Sequence, residues 1–295
     1  MTALHSWAEL LRVPALPTTP GDALAGAAAS CLRPGGRTLL AAGASACLYG
    51  AGMALNDWAD RAEDAVERPR RPIPSGRITP GQALAAATAL ATAGIGLALA
   101  AGRPAALTAT ALAGTVWAYG PRLKHTPAAA AAMATARGLD LLLGAVATAG
   151  SPAAARRAVL PAAVLGAHIY CVASVSRTET RGGAPGTALA ALGTTAVIGV
   201  LTGRGHRRPA PALRARARAR AALAGVYVAT AAGPCLHAAL NPSPPVSQRA
   251  VGGGIRAIVP LQAVLTARSG PLGAAALITV LAPVTRRLGR KVSPT

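Results

Sequence analysis

The chain has 295 residues and only nine carboxylates, and five of them fall between positions 57 and 67: Asp57, Asp60, Glu63, Asp64 and Glu67. This run closes an apolar stretch, Leu39 to Leu55, and leads into a basic, proline-rich segment, Glu67-Arg-Pro-Arg-Arg-Pro-Ile-Pro-Ser-Gly-Arg77. Carboxylates on one helical face beside clustered arginines suit a divalent cation and a phosphorylated ligand. Asn56, Asp60 and Asp64 follow one another at four-residue steps. Each step turns about 40°, so the three share a face over roughly 12 Å of rise. Asp57 lies about 100° off that face. Hard oxygen ligands of this kind fit Mg²⁺, which keeps several waters and shares its shell with substrate phosphates. The alternative is a charged helix end at the membrane surface, solvated and paired with nearby arginines.

Such a stripe needs a helix to carry it, and the composition says which kind. The chain is 52% hydrophobic and 13% charged, with a mean hydropathy of +0.42. Those values indicate an integral membrane protein rather than a soluble globule. The formal charge of +21 is almost all arginine; lysine occurs only at Lys124 and Lys291. Aromatic residues make up 2%, with no Phe, and none is interleaved with a basic segment, so nucleic acid is not an expected partner. Basic loops flanking apolar spans instead give membrane topology.

Spans of about 20 mainly apolar residues are expected near Leu16–Leu32, Thr38–Asp57, Gly81–Ala101, Pro104–Tyr119, Thr126–Ala149, Ala158–Ser176, Gly186–Leu201, Ala219–Leu240 and Gly254–Arg286. The last is long enough to divide at Ser269-Gly-Pro271. The first carries Asp22. No alternating barrel pattern appears, so the fold class is all-α, a polytopic transmembrane bundle of about nine helices in one domain, 1–295. The segment Met1–Arg12 reads as a short amphipathic helix at the interface, with Trp7 and Arg12 near the headgroups. Loops bearing Arg61 to Arg77, Arg122 and Lys124, and Arg177 and Arg181 fall on one side, taken as cytoplasmic. Gly203–Arg220, with seven arginines, would fall on the other side. Either a span is miscounted or that segment lies along the interface. The cysteines Cys31, Cys47, Cys171 and Cys235 lack metal-ligand spacing and read as small buried residues.

The run Asn56-Asp57-Trp-Ala-Asp60-Arg-Ala-Glu-Asp64 resembles the first Asp-rich motif of the UbiA superfamily of intramembrane prenyltransferases, Asn-Asp-x-x-Asp-x-x-x-Asp. Arg71-Pro-Ile-Pro-Ser-Gly-Arg77 is similar to the loop that follows it, and the likeness runs on to Thr79. Within the superfamily the pattern looks closest to the EboC-like branch. The resemblance implies a barrel-like bundle around a central cavity open to lipid. It also implies a prenyl diphosphate and a small-molecule acceptor as partners, Mg²⁺ as cofactor, and the cell (plasma) membrane as location. By the same resemblance Asn56, Asp60 and Asp64 hold Mg²⁺, and Arg68, Arg71 and Arg77 contact phosphate oxygens. Trp117-Ala-Tyr119-Gly-Pro-Arg122-Leu-Lys124-His125-Thr-Pro127 looks like a family loop, which brings Tyr119 and Lys124 to the active site. Its spacing is one residue longer than the commonest form, and an interfacial anchor is the competing reading.

The second family motif resembles Asp-x-x-Asp-x-x-Gly-Asp. Here the chain has Ser176-Arg-Thr-Glu179-Thr-Arg-Gly182-Gly183, so Ser176 and Gly183 stand in place of acids. Glu179 remains as a metal ligand, and Arg177 and Arg181 can contact diphosphate directly through guanidinium geometry. Glu179 and Arg181 pairing at a helix end is the alternative. Arg137 and Asp140, three apart, can pair on one face of their span. His168, His237 and Gln262 read as packing residues. The expected activity is transfer of an isoprenyl group to a small, possibly aromatic acceptor by Mg²⁺-assisted ionisation. The alternative is a non-catalytic relative that binds or transports a lipid-like precursor. An ion-coupled transporter fits less well, because the acids gather at one edge.

Overall fold

The structure, a computed structural model, describes residues 3–178, 183–204 and 211–280. In chain order the helices are α1 (Ala3–Leu10), α2 (Thr19–Ala29), α3 (Gly36–Ala59), α4 (Arg61–Glu67), α5 (Pro80–Ala101) and α6 (Arg103–Ala118). They continue with α7 (Ala129–Ala149), α8 (Ala154–Ser176), α9 (Pro185–Gly203), α10 (Pro211–Leu240), α11 (Pro244–Ser269) and α12 (272–280). A 3₁₀ segment, Val13–Thr18, leads into α2, and a π-helical turn, Tyr119–Leu123, follows α6. No strand occurs among the described residues.

Starts and stops follow local chemistry. Proline stands in the first turn of α2, α5, α6, α9 and α11, where its missing N–H costs nothing and its φ suits the helix. Thr79 and Gln82 form a capping box at α5, with hydrogen bonds of 3.2 and 2.9 Å between each side chain and the other's backbone N–H. Gly150, at φ 63°, ends α7 in the left-handed conformation that a glycine takes easily.

Among the described residues, seven helices are long and apolar enough to cross a membrane: α3, α5 and α7 to α11. α2 and α6 are shorter, at 11 and 16 residues. Successive helices from α2 through α3, α5, α6, α7, α8, α9 and α10 to α11 touch in turn, and α11 returns to α2, closing a ring. That matches the expected order of spans. α10 begins at Pro211 and α11 at Pro244, earlier than the sequence suggested, and α11 parts from α12 at Ser269-Gly-Pro271 as expected.

The arginines of the 203–220 stretch find their explanation here. Arg214, Arg216, Arg218 and Arg220 lie within the opening turns of α10. Arg216 donates to the carbonyls of Ala267 and Gly270, at the end of α11, and Arg268 donates to Leu201 near the end of α9. From Pro211 onward this stretch is therefore helical and begins at the end of the bundle opposite Asp60; residues 205–210 lie outside the described residues.

α2 also lies directly on α7. A Cβ added at Gly26 would come 2.1 Å from the Leu141 carbonyl oxygen, and one at Gly144 would come 2.5 Å from Ala23 Cα. Without hydrophobic drive between helices in lipid, such small-residue contacts are what lets helix backbones approach. Beneath them, Leu141, Leu165, Leu261 and Val264 are fully buried and fill the ring with an apolar layer. Gly26→Ala should therefore destabilise the protein by about 1–3 kcal/mol through overpacking. Gly96→Ala, with nothing within 4 Å of the added carbon, should not. Thermal unfolding of both variants in detergent checks the pair; a Gly26→Ala protein melting with the wild type would contradict the contact.

Candidate active site at the Asp60 rim

α3 ends at Ala59 and α4 starts at Arg61, yet the backbone hydrogen-bond pattern does not break. Asp60 N–H donates to Asn56 O at 2.9 Å, Asp64 N–H to Asp60 O at 2.8 Å, and Arg68 N–H to Asp64 O at 2.9 Å. The four-residue stripe therefore continues through the junction, and Asp60 and Asp64 are buried at 5% and 2% exposure.

Buried carboxylates need cations, and the following loop supplies one that serves two of them. Arg71 Nη1 lies 2.6 Å from Asp64 Oδ2 and 3.4 Å from Asp57 Oδ1. Asp57, on another face of α3, thereby joins the same network. Arg12 Nη2 reaches the same Asp57 oxygen at 3.3 Å, so Arg12 pairs inward rather than with headgroups. Its left-handed backbone, φ 48°, is uncommon for a non-glycine residue and sits where the chain turns from α1 into the 3₁₀ segment. Trp7 likewise packs inward. With Leu10, Leu55, Trp58 and Trp117 it surrounds Ile73 and Ile78, which anchor the loop. Arg68 is 3.6 Å from Asp64 and half exposed. Arg77 points elsewhere: it pairs with Glu9 of α1 at 2.7 Å and donates to Ser75 at 2.9 Å. Of the three arginines expected at phosphate, two lie at the carboxylates, and Arg77 ties the loop to the first helix.

Lys124 and Tyr119 do reach the site. Lys124 Nζ donates to Asp60 Oδ2, which also accepts from Asn56 Nδ2 at 3.3 Å. The extra residue in the Tyr119–Lys124 loop is taken up by the π-helical turn, in which Lys124 N–H donates to Tyr119 O at 3.0 Å. Pro121 accounts for the wider turn, since it has no N–H to offer Trp117 and its ring crowds that carbonyl. Burial, then the neighbouring Asp60 carboxylate, push the Tyr119 phenol above its ordinary pKa, and Arg177 acts against them. Arg177, which follows α8, donates to the Thr126 carbonyl beside this turn. Ser176 is the last residue of α8. Glu179, Arg181 and Gly182 lie outside the described residues.

Sequence reasoning missed His125 and gave Glu63 no role. Ligand atoms of Asp60, Glu63 and His125 all lie within 4.8 Å of one another. Glu63 follows Asp60 by three residues and was visible on the stripe; His125 needed the fold of the distant loop. Asn56 Oδ1, beside them, is buried with no hydrogen-bond partner. Asp64, by contrast, faces Arg71 and Arg68. The oxygens and nitrogen best placed for a metal are thus those of Asp60, Glu63, His125 and Asn56, with Asp64 committed to arginine.

Deeper in the bundle, Arg137 and Asp140 do not form an ion pair with each other. Arg137 pairs with Asp22 at 3.0 Å, and Asp140 accepts from Ser45 at 2.6 Å. Packing against α2 brings Asp22 closer than the residue on the same helix. His168 is buried between Gly254 O at 3.0 Å and the Tyr227 hydroxyl at 3.1 Å, and Gln262 is buried against Asp22 at 2.7 Å, both as packing residues. His237 is exposed. Among the cysteines only Cys235 is buried; Cys31 is exposed and takes a left-handed turn after α2.

A ring of membrane helices with acids and cations gathered at one rim defines an integral membrane protein built to handle a charged headgroup at the edge of an apolar interior. The model of the UbiA prenyltransferase family matches residues 15–202. The chain belongs to that family.

A digeranylgeranylglyceryl phosphate synthase of Methanospirillum hungatei is 44% identical over 82 residues, 27% of this chain and 29% of the relative. A chloroplastic chlorophyll synthase of Oryza sativa subsp. japonica is 47% identical over 51 residues, 17% of this chain and 14% of the relative. The chain thus matches less than a third of the length of these curated relatives. Across the fold, a UbiA homolog from Aeropyrum pernix K1 superposes with a TM-score of 0.66 at 16% identity, covering 90% of this chain and 98% of that one. A UbiA homolog from Archaeoglobus fulgidus bound to DMAPP and Mg²⁺ gives 0.61 at 17% identity, covering 86% and 99%.

Arg71→Ala removes the cation shared by two buried acids and should cost about 1–3 kcal/mol. Asp64→Asn in the same chain should recover part of that loss. Thermal melts of the single and double variants give the answer; an Arg71→Ala protein as stable as wild type would mean that Arg12 and Arg68 suffice.

Proposed function

We propose that this protein transfers an isoprenyl group from an allylic diphosphate to a small acceptor at the Asp60 rim, in the plasma membrane, with Mg²⁺ as cofactor. The observation that carries this reading is the convergence of Asp60, Glu63 and His125 beside Lys124. The buried, unpartnered Asn56 Oδ1 fits a cation there. Bound Mg²⁺ would supply positive charge to the diphosphate oxygens as the allylic C–O bond breaks. Asp60, Glu63, His125 and Asn56 would hold it, directly or through water.

The remaining roles fall to the chain's own cations. Lys124, Arg68 and Arg71 line the same rim and can donate to phosphate oxygens, where donors aimed at developing negative charge lower the barrier. Asp64 keeps Arg71 and Arg68 facing that position. Tyr119 stands by Asp60 with a phenol that stays protonated and able to donate. Arg177, with Arg181 and Glu179 following it in sequence, takes the place of a second metal. The apolar ring below shields the allylic cation from water until the acceptor attacks. The relatives named as digeranylgeranylglyceryl phosphate synthases and the homolog bound to DMAPP and Mg²⁺ support the donor class.

A second reading, a carrier that binds a lipid-like diphosphate without turnover, is favoured by one observation: Asp57, Asp60 and Asp64 already have protein cations as partners. Purified protein given labelled prenyl diphosphates and a panel of small acceptors separates the two. For the transferase, diphosphate release depends on Mg²⁺, stops with EDTA, and falls about 10²-fold or more in Asp60→Ala. Saturable binding with no release supports the carrier. Turnover unchanged in Asp60→Ala would overturn the site assignment.

A further inference from the structure

At the level of Leu141 and Leu261 lies a second polar group that the transfer reaction does not use. Asp22 of α2 is 0% exposed and Asp140 of α7 is 6% exposed. Ser45 Oγ, 2.6 Å from Asp140 Oδ2 and 3.5 Å from the Thr19 carbonyl one turn before Asp22, ties the two positions together. Arg137 pairs with Asp22, Ser45 of α3 donates to Asp140 Oδ2 at 2.6 Å, and Gln262 of α11 donates to Asp22 Oδ1 at 2.7 Å. Four helices thus meet at one point. A Cβ at Gly21 would come 2.2 Å from Gln262 Oε1, so a larger residue there would push the amide from its present place.

The charges do not cancel. Two carboxylates face one guanidinium. The other titratable groups close by add no positive charge. His168 on α8 is turned to Gly254 O and the Tyr227 hydroxyl, at 3.0 and 3.1 Å, and forms no ion pair with either carboxylate. Tyr49 on α3 is a neutral phenol, and α11 contributes the neutral Gln262 amide. A net negative charge in the middle of a membrane bundle is expensive unless paired. Hydrogen bonding leaves gaps in the same place. Asp140 Oδ1 and Arg137 Nε are buried without a hydrogen-bond partner, and Asp22 Oδ2 and Arg137 Nη2 have only each other, at 3.0 Å.

We propose that the Asp22–Asp140 pair binds one monovalent cation, with the unpartnered Asp140 Oδ1 as the receiving atom, Asp22 held by Arg137, and Ser45 and Gln262 orienting the two carboxylates. A proton and Na⁺ share this chemistry, one positive charge accepted by carboxylate oxygen, and they differ in how they are detected.

Wild-type protein in detergent is compared with Asp140→Asn, whose amide replaces the carboxylate with a neutral group of the same shape. With a proton in the site, difference infrared spectra contain a carboxylic-acid C=O band at neutral pH that disappears in Asp140→Asn, and melting is indifferent to Na⁺. With Na⁺ in the site, the wild type loses thermal stability when Na⁺ is exchanged for choline at constant ionic strength, and Asp140→Asn does not respond. Either result supports the site. A wild type with neither the band nor a Na⁺ response would overturn it, and that comparison needs no variant, so a failure of Asp140→Asn to fold leaves the test intact. Neither readout involves turnover, so the outcome is independent of the transfer reaction.

Discussion

Arg71 sits between Asp57 and Asp64, carboxylates that α3 and α4 present in different directions, and the rest of the rim is arranged around it. In a medium with little water, a buried acid without a cation is costly, and removing one partner of such a pair strands the other. One guanidinium meeting two acids lets the chain bury both while Arg12 and Arg68 take the outer positions. The loop that delivers Arg71 must then be fixed. Ile73 and Ile78 do this by inserting among Leu10, Trp58 and Trp117, and the Arg77–Glu9 pair holds the same loop to the first helix. With Asp57 and Asp64 committed in this way, Asp60 accepts from Lys124 and Asn56, and its carboxylate lies beside Glu63 and His125.

Much of this was legible in the residues. Four-residue spacing put Asn56, Asp60 and Asp64 on one stripe, and it holds across the break between α3 and α4 because the hydrogen bonds continue. Apolar runs and prolines marked the helices, and the division before Pro271 was placed correctly. What the sequence hid was every partnership between distant segments. Arg12 and Asp57 are 45 residues apart, and nothing local tells an interfacial arginine from one that turns inward. Arg137 has Asp140 three residues away, yet pairs with Asp22, because Gly26 and Gly144 let α2 lie against α7 more closely than periodicity reveals. The longer Tyr119–Lys124 loop looked like a departure from the family pattern. Pro121 converts the extra residue into a wider turn, so Lys124 still arrives at Asp60.

The packing has a compositional basis. With no Phe and few aromatic side chains, the ring is held by alanine faces and glycine crossings rather than interdigitated aromatics. Close backbone approach brings buried polar groups within reach across helices, as Ser45, Asp22, Asp140 and Gln262 demonstrate.

The end of the bundle opposite Asp60 bears Arg33, Arg37, Arg103, Arg156, Arg157, Arg214, Arg218 and Arg268, all exposed, and no carboxylate among the described residues. Guanidinium does not release its proton in any accessible range, so these eight arginines carry a fixed charge. The Asp60 end mixes acids with its cations and becomes more positive as carboxylates protonate. Among the described residues, the electrical polarity along the bilayer normal is therefore steepest near neutrality and flattens on acidification.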